Sequence, residues 1–156
     1  MTSKTKHPYQ AFTIKFGNRA TKLVSDVRVS IAFDPTTTAP HPKPLSTHAL
    51  WDTGANQSII TKKTAEQLKL ISTGLIRVRH AGGTSDHRTY VVNISLPNNV
   101  ILPGRFVTKI DDPTSAFGVI IGMDIITMGD LAVTNPDSKT IMSFRVPAFQ
   151  AIDFHS

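Results

Sequence analysis

The sequence predicts an all-β fold, either a barrel or a sandwich, with one or two short helices. Stretches that alternate apolar and polar residues recur at a spacing of about 8–12 residues, and turn residues separate them. The 156 residues contain no internal repeat, so we expect a single domain. A hydrophobic content of 40% is enough for a core and excludes a disordered or collagen-like chain.

The first third of the chain predicts two strands that follow a polar start. Residues 1–10 are polar and basic, and we expect them to form a flexible tail before a domain at 11–156. Residues 11–16 and 23–33 alternate apolar and polar side chains, which is typical of half-buried strands. Four of the ten prolines fall within residues 34–44, which predicts a loop or a hairpin tip.

The clearest helix pattern follows the next strand. Residues 45–50 form a predicted strand that leads into Trp51-Asp52-Thr53-Gly54. The helix is predicted at about 64–70, and either Ser58 or Thr61 provides its N-cap.

Strand patterns return in the second half of the chain. A glycine-containing turn at 81–85 separates two of the predicted strands, and a second short helix at 124–128 ends at Gly129. The predicted strands there are 76–80, 88–96, 100–110 with an interruption at Pro103-Gly104, 117–122, 131–134 and 140–146. Of these, 117–122 is a continuous apolar run, as expected of a strand buried on both faces.

Composition excludes several function classes. The absence of Cys excludes disulfides, thiolate catalysis and Cys-ligated metals. The six His have no metal-ligand spacing, and we expect no metal and no cofactor. The net charge is +6 and the pI about 9.8, but the basic residues are dispersed and aromatics make up only 7%. We therefore do not expect nucleic acid as a partner.

The sequence gives no indication of a membrane. A spanning helix needs about 20 apolar residues, and the longest nearly apolar stretch is residues 117–126. The polar N-terminus lacks the apolar core of a secretory signal, so we expect a cytoplasmic protein.

The chemistry-bearing feature is the segment around Asp52. An apolar run delivers Asp52-Thr53-Gly54-Ala55, and the small residues at 54 and 55 leave no bulk beside the carboxylate. Taken alone, Asp-Thr-Gly is equally consistent with an Asx turn after a strand. Two further features follow in order: a hairpin containing Gly82-Gly83 and, about 65 residues after Asp52, the run Ile120-Ile121-Gly122.

In this order the motifs resemble those of the retropepsin-like aspartic proteases, a single-lobe family with retroviral, retrotransposon, cellular and bacterial members. The motifs are Leu50-Trp51-Asp52-Thr53-Gly54-Ala55 and Ile120-Ile121-Gly122-Met123-Asp124, and the resemblance covers roughly residues 24–146. It implies a closed, mostly antiparallel β-barrel. It also implies an endopeptidase acting on peptide or protein substrates.

The resemblance further implies a homodimer, because one chain carries one Asp-Thr-Gly. Asp52 and its symmetry mate would share one proton and activate a water molecule. Thr53 would bond across the dimer, Gly54 would allow close approach of the substrate backbone, and Ala55 would keep the floor of the site open.

Other segments receive roles only through the same resemblance. The flap that covers the substrate is assigned to Ala81, Gly82 and Gly83. Structural support of the site is assigned to Ile120, Ile121, Gly122 and Asp124. The closest match to the retroviral dimer strand is Thr140–Val146.

The chain departs from the retroviral pattern at two positions. Asn56 and Met123 replace an Asp and an Arg that form an ion pair in retroviral members. Both partners are absent together, which leaves open how the dimer is braced. An alternative function is therefore a catalytically silent retropepsin-like module for dimerisation or peptide binding. Trp51 either walls a subsite or fills the core.

Overall fold

A computed structural model describes residues 8–112 and 114–155 of the chain. Residues 1–7 of the predicted tail lie outside the described residues, and the first strand begins at Gln10. Within the described part, no helix is long and apolar enough to cross a bilayer.

The described residues form ten strands, two short α-helices and one 3-10 turn. The strands are β1 (Gln10–Lys15), β2 (Leu23–Ile31), β3 (Leu45–Trp51), β4 (Ile59–Thr61), β5 (Gly74–His80), β6 (Gly83–Ser95), β7 (Ile101–Ile110), β8 (Val119–Ile121), β9 (Asp130–Thr134) and β10 (Ile141–Val146). The helices are α1 (Lys62–Gln67) and α2 (Met123–Ile126), and the 3-10 turn is Pro136–Ser138.

Seven strands form the main sheet, in the order β2-β3-β8-β4-β7-β6-β5. An additional antiparallel pairing of β2 with β6 joins the sheet back on itself. Most pairings are antiparallel; β3–β8 and β4–β7 are parallel. The predicted all-β, mostly antiparallel fold with two short helices is confirmed.

The core is formed by the inward-facing residues of this sheet. Val27 and Val29 of β2 face the same side as predicted and are buried, whereas Ile31 is 46% exposed at the strand end. Trp51 belongs to the core: it is 4% exposed, its Nε1–H donates to Ser25 Oγ at 2.9 Å, and its ring packs against Phe144. Because the indole hydrogen bond is satisfied, its burial carries no polar penalty.

A second sheet contains three strands in the order β1-β10-β9. β10 pairs antiparallel with β1 on one side and with β9 on the other. Residues 140–146, the closest match to a dimer-forming strand in the sequence, therefore have both edges occupied within the chain. Among residues 8–112 and 114–155, no further strand pairs with the outer edges of β1 and β9.

Several elements differ from the predictions. β6 begins at residue 83 and not at 88, and α1 covers 62–67 and not 64–70. β4 was not predicted, because three residues are too few to show a pattern. β7 continues through Pro103-Gly104, where Gly104 adopts a φ of +61° and its N–H donates to Asn93 Oδ1 at 2.9 Å. The irregular register between Val92 and Ile94 shows that the strand pair accommodates a bulge there.

Candidate functional site

Asp52 is the first residue after a strand that lies inside the main sheet. β3 is paired on one side with β2 and on the other with β8. The Asp52 N–H donates to Ile121 O at 2.9 Å, so the hydrogen-bond pattern of β3 and β8 extends one residue beyond β3. The half-buried carboxylate is thus fixed at the end of a rigid element.

Residues 52–58, which we call the Asp loop, turn immediately around that carboxylate. The Gly54 N–H donates to Asp52 Oδ1 at 2.8 Å, and the Ala55 N–H donates to Asp52 O at 3.2 Å. This is the Asx-type turn with which Asp-Thr-Gly alone is consistent. A Cβ at residue 54 would lie 3.1 Å from Asp52 Oδ1, so glycine leaves that oxygen uncrowded.

The Asp loop is attached to the start of α2 by main-chain hydrogen bonds. The Met123 N–H donates to Ala55 O at 2.8 Å, and the Asp124 N–H donates to Asn56 O at 3.2 Å. Positions 56 and 123, which lack the retroviral ion pair, are therefore connected to the opposing segment through backbone atoms.

A buried side chain adds to this attachment. Ser58 is fully buried, and its hydroxyl donates to Asp124 Oδ1 at 2.7 Å while accepting the Gly122 N–H at 3.0 Å. The sequence singled out Ser58 as a possible helix cap, but the cap of α1 is Thr61, whose hydroxyl accepts the Thr64 N–H. Ser58 instead joins both sides of the site.

Gly122 is required by close packing at this junction. A Cβ at residue 122 would lie 2.8 Å from Ala55 O and from the Gln57 carbonyl carbon. Both are backbone atoms that cannot rotate away. The absence of a side chain therefore allows β8 and α2 to pack directly against the Asp loop.

Thr53 follows Asp52 in the Asp loop. It is exposed, and its side chain has no hydrogen-bond partner among residues 8–112 and 114–155. The hydroxyl is therefore available to a group outside the described chain.

The predicted glycine hairpin is present as β5 and β6, with Ala81 and Gly82 in the turn and His80 paired with Gly83. Gly83 is the hairpin residue with a positive φ, +121°. Ile76 and Val78 of β5 are half-buried on one face. The opposite face is charged and includes an ion pair between Arg77 and Asp86.

The structure thus brings Asp52–Ala55 together with Gly122 and Asp124, and it places Ile120 and Ile121 in the strand beside β3. The hairpin with its tip at 81–83 is formed by β6 and β5, the last two strands in the order of the main sheet. Sequence reasoning missed the bridging role of Ser58 and the contact of Gln57 with Gly122. A buried Ser six residues after Asp52 gave no signal, because its partners lie 64 and 66 residues away.

No metal-binding arrangement accompanies the site: within the described residues, no three His, Asp or Glu side chains are grouped to hold an ion. The chemistry available at this point is that of one oriented carboxylate.

A family model described as aspartyl protease matches residues 43–125, just over half of the chain. The match contains the Asp loop and the start of α2. Among curated proteins, no sequence matches the chain.

Solved structures give a comparison of the fold. A retropepsin-like aspartic protease from Rickettsia conorii superimposes with a TM-score of 0.56 at 14% identity, covering 88% of this chain and 95% of that one. EIAV protease in complex with the inhibitor HBY-793 matches with a TM-score of 0.44 at 22% identity, covering 67% and 85%. The retroviral protease-like domain of Ddi1 from Leishmania major matches with a TM-score of 0.40 at 17% identity, covering 74% and 90%.

Proposed function

Because the chain belongs to the aspartyl protease family, we propose that it is an aspartic endopeptidase that acts as a homodimer, with Asp52 as its catalytic residue. The observation that carries the proposal is the geometry of the Asp loop. Asp52 is fixed by β3 and β8, its Oδ1 is oriented by the Gly54 N–H, and no side chain at 54 covers it.

The homodimer follows from the number of carboxylates that the reaction needs. One carboxylate must accept a proton from water while a second donates one to the substrate. The sequence contains a single Asp-Thr-Gly, so the second carboxylate would be Asp52 of another copy. The exposed, unpaired hydroxyl of Thr53 beside Asp52 supports a contact between the two loops.

The reaction is proposed as follows. The ionised Asp52 takes a proton from water, and the water oxygen forms a bond to the peptide carbonyl carbon. The protonated Asp52 of the second copy donates its proton to the carbonyl oxygen, which gives a neutral tetrahedral diol. Collapse of the diol breaks the C–N bond, and one proton passes to the leaving amine. The enzyme forms no covalent bond to the substrate.

The substrate class is an extended polypeptide. We assign the hairpin of β5 and β6, with its turn at Ala81 and Gly82, as the flap that covers the peptide. A two-stranded hairpin suits backbone pairing with an extended chain. Its half-buried apolar face, Ile76 and Val78, favours substrates with apolar side chains.

The test is cleavage of an unfolded-peptide library between about pH 4 and 7, with products identified by mass spectrometry. The Asp52→Asn variant should lose cleavage, whereas the matched control Asp137→Asn, in an exposed turn, should retain it. Equal cleavage by wild type and Asp52→Asn would refute the assignment of Asp52. A dimeric wild type that cleaves no peptide would instead favour the silent binding module.

A further inference from the structure

Two polar side chains lie on the half-buried face of the hairpin formed by β5 and β6. Ser85 and His87 of β6 are directly opposite Val78 and Ile76 of β5, and all four are half-buried, whereas the residues between them are exposed. Directly opposed residues of an antiparallel pair lie on the same face of the sheet. Ser85 and His87 therefore share the face of the hairpin that carries Ile76 and Val78.

The imidazole of His87 connects this face of the hairpin to β7. Its Nδ1 lies 3.1 Å from Lys109 O, and its Nε2 lies 2.7 Å from Ser85 Oγ. The main-chain pairing of β6 with β7 begins at Thr89, which is opposite Thr108. The His87 side chain thus extends the attachment of the hairpin beyond the point where the main-chain pairing stops.

The two hydrogen-bond partners determine which ring nitrogen carries the proton. Lys109 O is a carbonyl oxygen that can only accept, so His87 Nδ1 must donate to it. In the neutral ring Nε2 then accepts, and the Ser85 hydroxyl donates to it. One tautomer therefore satisfies both nitrogens, and the Ser85 hydroxyl is oriented towards the ring.

The attachment on β7 lies next to the Asp loop. The N–H of Thr108, the residue before Lys109, donates at 3.3 Å to the carbonyl oxygen of Ser58, the last residue of the Asp loop. The segment of β7 that holds His87 is therefore the segment that contacts the carboxylate-bearing loop. A hairpin held at this point has fewer conformations to lose when it closes on a ligand, and binding costs less free energy.

We propose that His87 is a positioning residue of the flap, which holds the base of the hairpin against β7 so that the hairpin closes on an extended peptide in one geometry. The inference rests on the proposed function, because it takes the hairpin of β5 and β6 as the flap. In this role His87 acts on substrate binding, through Ser85 and Lys109, and takes no part in the proton transfers at Asp52.

Two measurements test the attachment without a cleavage assay. Nitrogen NMR of the full-length protein at about pH 8 should show the proton of the His87 ring on Nδ1, with the signal assigned by its loss in His87→Phe. Amide hydrogen exchange of residues 74–89, followed by mass spectrometry, should be at least about threefold faster in His87→Phe than in wild type. The matched control His48→Phe changes an exposed ring on β3, which pairs with neither β5 nor β6, and should leave this exchange unchanged.

The kinetic test separates KM from kcat on a peptide that the wild type cleaves. His87→Phe should raise KM about three- to tenfold, as expected for the loss of a hydrogen bond, and should change kcat less than about twofold. His87→Asn should restore KM to within about twofold of wild type, because the Asn side-chain N–H can replace Nδ1–H as the donor to Lys109 O. His48→Phe should leave both constants at their wild-type values.

Four results would overturn the proposal: a ring proton on Nε2, equal hydrogen exchange in wild type and His87→Phe, faster exchange without a rise in KM, or a fall in kcat without a rise in KM. Thermal melting establishes that each variant is folded. If His87→Phe fails to fold, Ser85→Ala, which removes the donor to Nε2, takes its place, with Ser46→Ala as its control.

Failure of the proposed function is recognised separately. If the wild type cleaves no peptide, the proposed function fails, and the dissociation constants of the same peptides replace KM in the comparison of wild type with His87→Phe. A peptide that binds the variant about three- to tenfold more weakly would still support the role of His87. Peptides that bind both proteins equally, or neither, would overturn it.

Discussion

At the scale of single residues, three small residues around Asp52 determine the geometry of its carboxylate. Gly54 leaves the carboxylate open, Gly122 lets α2 approach the Asp loop, and Ser58 joins the two with a buried hydroxyl. Each is a small residue whose replacement alters the geometry of the carboxylate without removing it.

Gly122→Ala should destabilise the fold by about 1–3 kcal/mol or more, because the new Cβ would overlap backbone atoms of Ala55 and Gln57. Urea unfolding followed by fluorescence of the single Trp, Trp51, measures the effect. Gly17→Ala is the matched control, since a Cβ there meets nothing within 4 Å. An equal stability of the two variants would contradict the close packing.

Ser58→Ala should cost about 1–3 kcal/mol, because it leaves the buried Gly122 N–H without its acceptor and Asp124 without a donor. The exposed Ser46 of β3 provides the control Ser46→Ala, which should fall within about 0.5 kcal/mol of wild type. Chemical denaturation of both variants measures their free energies of unfolding. A Ser58→Ala protein as stable as the control would show that the bridge contributes nothing.

At the scale of elements, one carboxylate helps to hold the segment after β10 against the start of β9, together with the Ala148 N–H, which donates to Met128 O. Asp130 Oδ2 accepts from Arg145 Nε at 2.6 Å and from the Phe149 N–H at 2.8 Å. The Arg145 guanidinium also lies over the rings of Tyr9 and Phe149, with centroid distances of 5.2 and 5.3 Å. The Phe149 N–H first, and then Arg145, hold the pKa of Asp130 below its ordinary value of 3.8.

The contribution of the Asp130 charge to this attachment should be lost in acid. A carboxyl group with a lowered pKa in the folded state stabilises the fold above its ordinary pKa of 3.8, and the contribution disappears as pH falls through the lower folded value. The melting temperature of wild type should therefore exceed that of Asp130→Asn by a constant amount above about pH 4. The difference in melting temperature between wild type and Asp130→Asn should narrow below pH 3.8.

The control for this prediction is Asp137→Asn, which also removes one carboxylate but lies in an exposed turn away from Arg145 and Phe149. A gap between wild type and Asp130→Asn that stays constant, or widens, on acidification would mean that the charge of Asp130 does not hold the segment.

How much of the fold the sequence could predict depends on how far apart in the chain the interacting residues lie. β2, β10 and the part of β6 from residue 88 onward alternate apolar and polar residues, which indicates their buried face, so their positions were predictable. β4 is too short for a pattern, and its pairing with β7 and β8 exists only in the folded chain.

The same reasoning applies to the site. Asp52–Ala55 and Gly122 were recognisable from local motifs, whereas the Ser58–Asp124 bridge joins residues 66 positions apart and leaves no local trace.

At the scale of the whole molecule, we propose that two copies of the chain complete one catalytic site. The chain supplies one Asp-Thr-Gly, an exposed Thr53 beside it, and outer edges of β1 and β9 that pair with no further strand among residues 8–112 and 114–155. If this is so, activity depends on the pairing of two chains. A site completed within one chain would show no such dependence.

The most direct measurement is activity after subunit mixing. Wild type and Asp52→Asn are unfolded together in equal amounts, refolded and assayed on a cleavable peptide, with dimer content checked by size exclusion. Random pairing leaves about a quarter of the dimers with two Asp52 residues. We therefore expect the mixture to have about a quarter of the activity of wild-type protein at the same total protein concentration. A value of about half would show that each chain cleaves alone, and that would contradict the shared site.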